Sequence, residues 1–216
     1  MKALLRNLIP AVAVLFLMQL ASAQVPHLTP FSADMEMSST RADRGPRDME
    51  GKIFVASGHM RMNMDSAGHQ TAIITDLATK TVDILMPQQQ MYMEHKAGET
   101  PGRGPGSMTR DLKPYDPEHP CATQPDVTCK KIGVEEVSGH TCDHWEITDK
   151  QGKVANIWIG QKLHFPIKTV SQDSTLLLSN IKEGEPDASL FQIPAGFHKI
   201  DLGGMMPPGG GGPPQQ

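Results

Sequence analysis

His140, Cys142 and His144 stand at alternate positions of one short segment, with Glu146 next in line. An extended strand turns alternate residues to one face, so these four share a face. A His/Cys/His row is a soft-metal ligand set. Its spacing works against that use: alternate strand residues lie about 7 Å apart, whereas a metal needs ligands converging at about 2 Å. The competing reading is a polar outer face, with Trp145 and Ile147 turned into the core. A second soft set comes from methionine. Met60, Met62 and Met64 alternate along one segment and Met91 and Met93 along another, with His59 and His95 beside them. Thioethers select Cu(I), and the alternative is plain apolar lining by a flexible side chain.

Other chemistry finds no support. The chain has no nucleophile elbow, metalloprotease helix, phosphate-cradling loop or dinucleotide fingerprint. Cys142 and His144 are neighbours in a strand row, which does not make a catalytic triad. The expectation is a protein that is not an enzyme and carries no cofactor.

The segments that hold these residues alternate with period two. Phe31, Ala33, Met35 and Met37 are apolar around polar Ser32, Asp34 and Glu36, and the same alternation recurs at 59–65, 81–86 and 90–95. Turn signals separate the segments at the short spacing of antiparallel sheets: Ser57-Gly58, Ser66-Ala67-Gly68, Leu77–Lys80, Ser138-Gly139 and Lys150-Gln151-Gly152. The pattern predicts about ten strands, at 31–38, 51–57, 59–65, 71–76, 81–86, 90–95, 130–137, 140–148, 153–159 and 166–172, with a further one at 175–182. The gaps are too short for the crossover helices that parallel pairing requires. One capped turn is expected at Asp187–Phe191, with Asp187 as its N-cap. The Gly- and Pro-rich stretch 96–129 reads as a long loop or lid, and 203–216 as a disordered Gly/Pro/Gln tail.

Three cysteines, Cys121, Cys129 and Cys142, leave one unpaired in an oxidising compartment. If Ser138-Gly139 form the centre of a tight turn, Val137 faces His140, Glu135 faces Cys142, Ile132 faces Trp145, Lys131 faces Glu146 and Cys129 faces Thr148. Cys129 and Cys142 are then about 20 Å apart along the strand axis, far beyond the roughly 4.4–6.8 Å a disulfide allows. Cys121–Cys129 is the expected bridge and Cys121–Cys142 the alternative.

Met1–Ala23 reads as a secretory signal peptide. Lys2 and Arg6 precede an apolar run from Leu8 to Leu20, and Ala21-Ser22-Ala23 offers a cleavage site with no cysteine after it. The expected product is a periplasmic or secreted chain of one domain, 24–202, without a lipid anchor. Its formal net charge is −4 before the two leader cations are lost. That acidity argues against nucleic acid as a partner. No second apolar run is long enough to span a bilayer.

Four segments together resemble an uncharacterised family of secreted bacterial proteins, a domain of unknown function. They are Gly51–Val55 with His59–Met64; Gly133–Cys142 with Trp145; Trp158-Ile159 with Phe165–Lys168; and Leu190–Phe197. The resemblance covers roughly residues 31–200. That family is distantly similar to the periplasmic outer-membrane lipoprotein carrier, so the resemblance implies a curved antiparallel half-barrel around an apolar cavity and a lipid-binding role. It supplies no catalytic residues, and this chain shows no pattern for long helices over the cavity.

The fold expected is therefore all-β: one curved antiparallel sheet with a short C-terminal helical turn. Met35, Met37, Met60, Met62, Met64, Ile84 and Met91 are the candidate ligand-binding residues, lining a concave apolar surface of the kind that marks binding. The expected partner is a lipid or other amphiphile. The alternatives are a copper or zinc protein using the methionine rows or His140, Cys142 and His144, and a sensor or structural module that binds an envelope protein through a sheet edge.

Overall fold

The computed structural model describes residues 28–40, 47–96, 118–122 and 126–200. The proposed leader, most of the 96–129 loop and the 203–216 tail lie outside the described residues.

Alternating side chains and tight turns build a single sheet. Its strands are β1 (Phe31–Ser39), β2 (Arg47–Ala56), β3 (His59–Ser66), β4 (His69–Asp76), β5 (Thr81–Met86), β6 (Met91–Lys96), β7 (Val127–Val137), β8 (His140–Asp149), β9 (Val154–Gly160), β10 (Phe165–Val170), β11 (Ser174–Glu183) and β12 (His198–Lys199). Their order across the sheet is β12-β6-β5-β4-β3-β2-β1-β11-β10-β9-β8-β7. Every pairing is antiparallel except β12 with β6, a short parallel addition that local patterning did not announce. The expected all-β antiparallel fold is what the chain forms. Among the described residues no helix is long and apolar enough to cross a membrane.

The turns explain the register. Ser138 and Gly139 both hold positive φ, 51° and 77°, the pair of left-handed conformations that joins twisted strands in a two-residue hairpin. From that turn Val137 pairs with His140 and Glu135 with Cys142, as expected. A bulge at Ile132 then shifts the register. Lys131 pairs with Trp145, Lys130 with Glu146 and Cys129 with Ile147, correcting the expected Lys131–Glu146, Ile132–Trp145 and Cys129–Thr148. Pro166, which has no N–H for a ladder, sits at a second bulge, in β10. The expected C-terminal turn is a 3-10 turn, Ala188–Phe191, whose Ser189 N–H donates to the Asp187 side chain.

The sheet curls toward one face. β10 pairs only with Thr175–Leu177 of β11. Ser138, in the β7–β8 turn, reaches across and donates from its hydroxyl to the Leu178 carbonyl at 2.6 Å. In a flat sheet β8 and β11 would lie about 14 Å apart, three strand spacings. Phe31 on β1 likewise passes over β11 to meet Phe165 edge-on, with ring centroids 5.3 Å apart. The principal core cluster lies inside this curl and joins Phe31, Met35, Val55 and Met60 to Cys142, Trp158, Ile167 and Leu178. A smaller cluster on the opposite face, Ala72, Ile74 and Leu85 with Tyr92 and Phe197, docks the C-terminal segment.

Candidate functional site

Register determines which methionines stand together. Across β1 to β6 the pairings align three rows on one face. The first runs Met35, Gly51, Met64 and Thr71 and continues to Met86 and Met91; the second runs Ala33, Ile53, Met62, Ile73, Ile84 and Met93; the third runs Phe31, Val55, Met60, Thr75, Val82 and His95. Met37 and Met49 pair beyond the first row. Nine methionines thus share the face toward which the sheet curls.

Burial divides them. Met35 and Met60 are sealed in the core, as is Ile84. Met37, Met49, Met62, Met64, Met86, Met91 and Met93 are half-buried. Of the residues expected to meet a ligand, Met37, Met62, Met64 and Met91 therefore reach a surface. Met35, Met60 and Ile84 support it from beneath. The expected set did not include Met49, Met86 and Met93. Hairpin register alone would have found them, because each continues an alternating row already recognised. Methionine suits such a surface: its unbranched thioether repacks around ligands of different shape.

The opposite face, beside its Ala72, Ile74 and Leu85 cluster, carries a largely polar-lined cavity of about 700 Å³. Asp34, Lys52, Asn63 and Ala72 align there by register, and Arg61 and Asn180 join them at the cavity wall. Lys52 forms an ion pair with Asp34, and Asn180 donates to the other carboxylate oxygen at 2.9 Å. The Lys52 ammonium, then the Asn180 amide, hold the Asp34 carboxyl below its ordinary range. Arg61 donates to Asn63 and to the Leu190 carbonyl, both at 2.7 Å, which fixes the C-terminal segment over this face. Its cation is thus spent inside the chain.

The His140/Cys142/His144 row lies on the covered side, which corrects the view of it as an outer polar face. Cys142 is fully buried in the principal core, whereas Trp145 and Ile147, expected inside, are only half-buried on the other face. His144 stacks on Trp158 with ring centroids 4.2 Å apart. Its Nδ1 lies 2.8 Å from Glu135 and its Nε2 2.8 Å from Asn156. Glu135 also accepts from the Trp158 indole N–H at 2.9 Å. These two bonds, Trp158 first, hold the Glu135 carboxyl below its ordinary range. The network clamps β7, β8 and β9 together, and sequence spacing did not reveal it because its members come from three strands. Among the described residues no three His, Cys, Asp or Glu side chains converge to hold a metal ion.

Cys121 and Cys129 are joined by a disulfide, and Cys142 is free. The Cys142 thiol donates to the His140 carbonyl at 3.3 Å, and burial pushes its pKa up to about 11. Since the thiolate is the reactive form, native protein treated with Ellman's reagent at mildly alkaline pH is expected to release almost no thionitrobenzoate, and denatured protein one equivalent. Full reaction of the native chain would contradict the burial of this thiol.

A solved structure with the same general shape is that of an uncharacterized conserved protein from Thermus thermophilus. It is 10% identical, with 81% of this chain and 91% of that chain covered and a TM-score of 0.53. The MucA/MucB complex of Pseudomonas aeruginosa gives 12% identity, coverage of 76% and 55%, and a TM-score of 0.48, so this chain spans little more than half of that one. A LolA superfamily protein from Nitrosomonas europaea gives 10% identity, coverage of 77% and 91%, and a TM-score of 0.39. At these identities the Thermus structure supports the fold and nothing further. Among curated proteins no sequence match is found. A family profile described as a domain of unknown function (DUF4412) matches residues 31–164, well over half of the chain, and the protein belongs to that family.

Proposed function

We propose that the protein is an exported carrier or binding module of the periplasm that holds a lipid or other amphiphile against its methionine face. In this reading it binds and releases a ligand and breaks no bond. The observation that carries the reading is the set of seven half-buried methionines on one side of β1–β6. Partly exposed apolar side chains gathered on one face are the kind of surface that marks binding. An acyl chain laid there gains about 0.8 kcal/mol per buried methylene, so micromolar binding needs a long chain, of about fifteen buried methylenes, once the lowest entropy cost of association is met. The opposite face does not compete for this role, because its main cations are already paired within the chain.

Met62 lies at the centre of the surface, paired with Ile53 and Ile73. Met62→Asn is expected to weaken binding of a fluorescent fatty-acid probe by about tenfold, equivalent to about 1.4 kcal/mol. Met62 is half-buried and packs against the core clusters beneath it, so circular dichroism first establishes that the variant is folded. Met93→Asn, in the same row, serves as the second variant. Unchanged probe binding by folded variants of both would sink the proposal.

A further inference from the structure

β7 ends the sheet and is its longest strand, 11 residues, with no strand on its outer side among the described residues. A long free edge presents unpaired N–H and C=O groups and is a template for another strand. A bulge and four charged residues, devices that usually blunt an edge, lie on this strand beside exposed apolar residues. Ile132 is 46% exposed and Val134 56%. The charges of the strand are also ordered: Lys130 and Lys131 precede Gly133, and Glu135 and Glu136 follow it. Run antiparallel against itself, such a strand sets its basic half beside its own acidic half.

We propose that β7 is a self-association edge: a second copy of this chain pairs with it antiparallel, with Ile132 of each strand opposite Gly133 of the other. The bulge is what makes this register consistent. Lys130 pairs with Glu146 within the chain and Glu135 with Cys142, so both lie on the covered face. Lys131 pairs with Trp145, and Val134 and Glu136 with Asp143 and Thr141, so these three lie on the other face. In the proposed register Lys130 stands opposite Glu135, and Lys131 stands opposite Val134 with Glu136 on its diagonal. All of these partners share a face, and no like charges oppose each other. Without the extra residue at Ile132, Lys130 and Glu135 would point to opposite faces. Opposite charges across strands favour pairing, and a two-fold with one patch used twice is the commonest protein symmetry. Lys130 and Glu136 are exposed and have no partner among the described residues. Lys131 and Glu135 keep their bonds to Asp143 and to His144 and Trp158.

The test is sedimentation velocity of the purified chain over a concentration series at low and high salt. A reversible dimer that weakens with added salt is expected, since exposed charge pairs are screened. Lys130→Glu and Glu136→Lys should each raise its dissociation constant by about tenfold or more. Lys182→Glu, on β11, should leave it unchanged. Ile132→Cys should form a covalent dimer under mild oxidation, because the register puts the two Cα atoms within about 6 Å; native Cys142 is buried and stays out of this reaction. A chain that stays monomeric at every concentration overturns the proposal. So does a dimer indifferent to both charge reversals, which would use another surface.

Discussion

Replacing Gly51 with alanine is expected to cost at least about 4 kcal/mol, in the range reserved for severe steric or cavity defects. Gly51 lies on β2 between Met35 and Met64 in the first methionine row. A Cβ built there overlaps the backbone carbonyl oxygen of Asn63, and it lies 3.1 Å from that carbonyl carbon and 3.2 Å from the Met64 Cα. These are main-chain atoms of the neighbouring strand, so no rotamer change relieves the clash. Either β2 and β3 separate or their register moves, and a one-residue slip would turn every methionine of β3 to the wrong face. Gly58 is the useful control. It holds φ of 82° with open space around it, so Gly58→Ala meets backbone strain alone and should cost about 1–2 kcal/mol. Denaturant midpoints of the two variants give the comparison. Equal, small losses would show that β2 and β3 are not as closely apposed at Gly51 as described.

The second large effect belongs to Phe31. Its side chain is fully buried, and it meets Phe165 across β11. Phe31→Ala is expected to lose about 3–5 kcal/mol, the usual range for a buried aromatic truncated to alanine. Part of that loss is cavity and part is the edge-to-face contact, worth about 0.5–1.5 kcal/mol beyond area. Phe54, on the other face of neighbouring β2, is half-buried. Its truncation should cost clearly less. Urea unfolding distinguishes the two. If Phe31→Ala cost no more than Phe54→Ala, the curl of β1 toward β10 would not be a source of stability.

Much of this architecture is legible in the residues. Alternation and turn chemistry place the strands well because both act locally: Ser138-Gly139 dictates its hairpin, and Asp187 caps its own turn. Three features are not local. The Ile132 bulge shifts a register that alternation alone extends straight through, so the pairings beyond it come out one residue wrong. Alternation also yields two faces without saying which one the curl will cover. Trp145 looks more like a core residue than Cys142, yet Cys142 is enclosed because β8 is drawn over the same interior as Phe31 and Ile167. Glu135, His144, Asn156 and Trp158 have no sequence spacing in common, and only the order of β7, β8 and β9 assembles them. The methionine face lies between these cases. Its rows are visible segment by segment, but the count of nine on one side requires the pairing of six strands.

The central claim is that the methionine face holds an amphiphile. Native mass spectrometry of the protein purified from a bacterial periplasm, without refolding or detergent, tests it most directly. The account predicts an added mass of several hundred daltons that organic solvent removes and that Met62→Asn diminishes. A bare polypeptide, lighter only by the two hydrogens of the Cys121–Cys129 bridge and indifferent to added acyl chains, would contradict it.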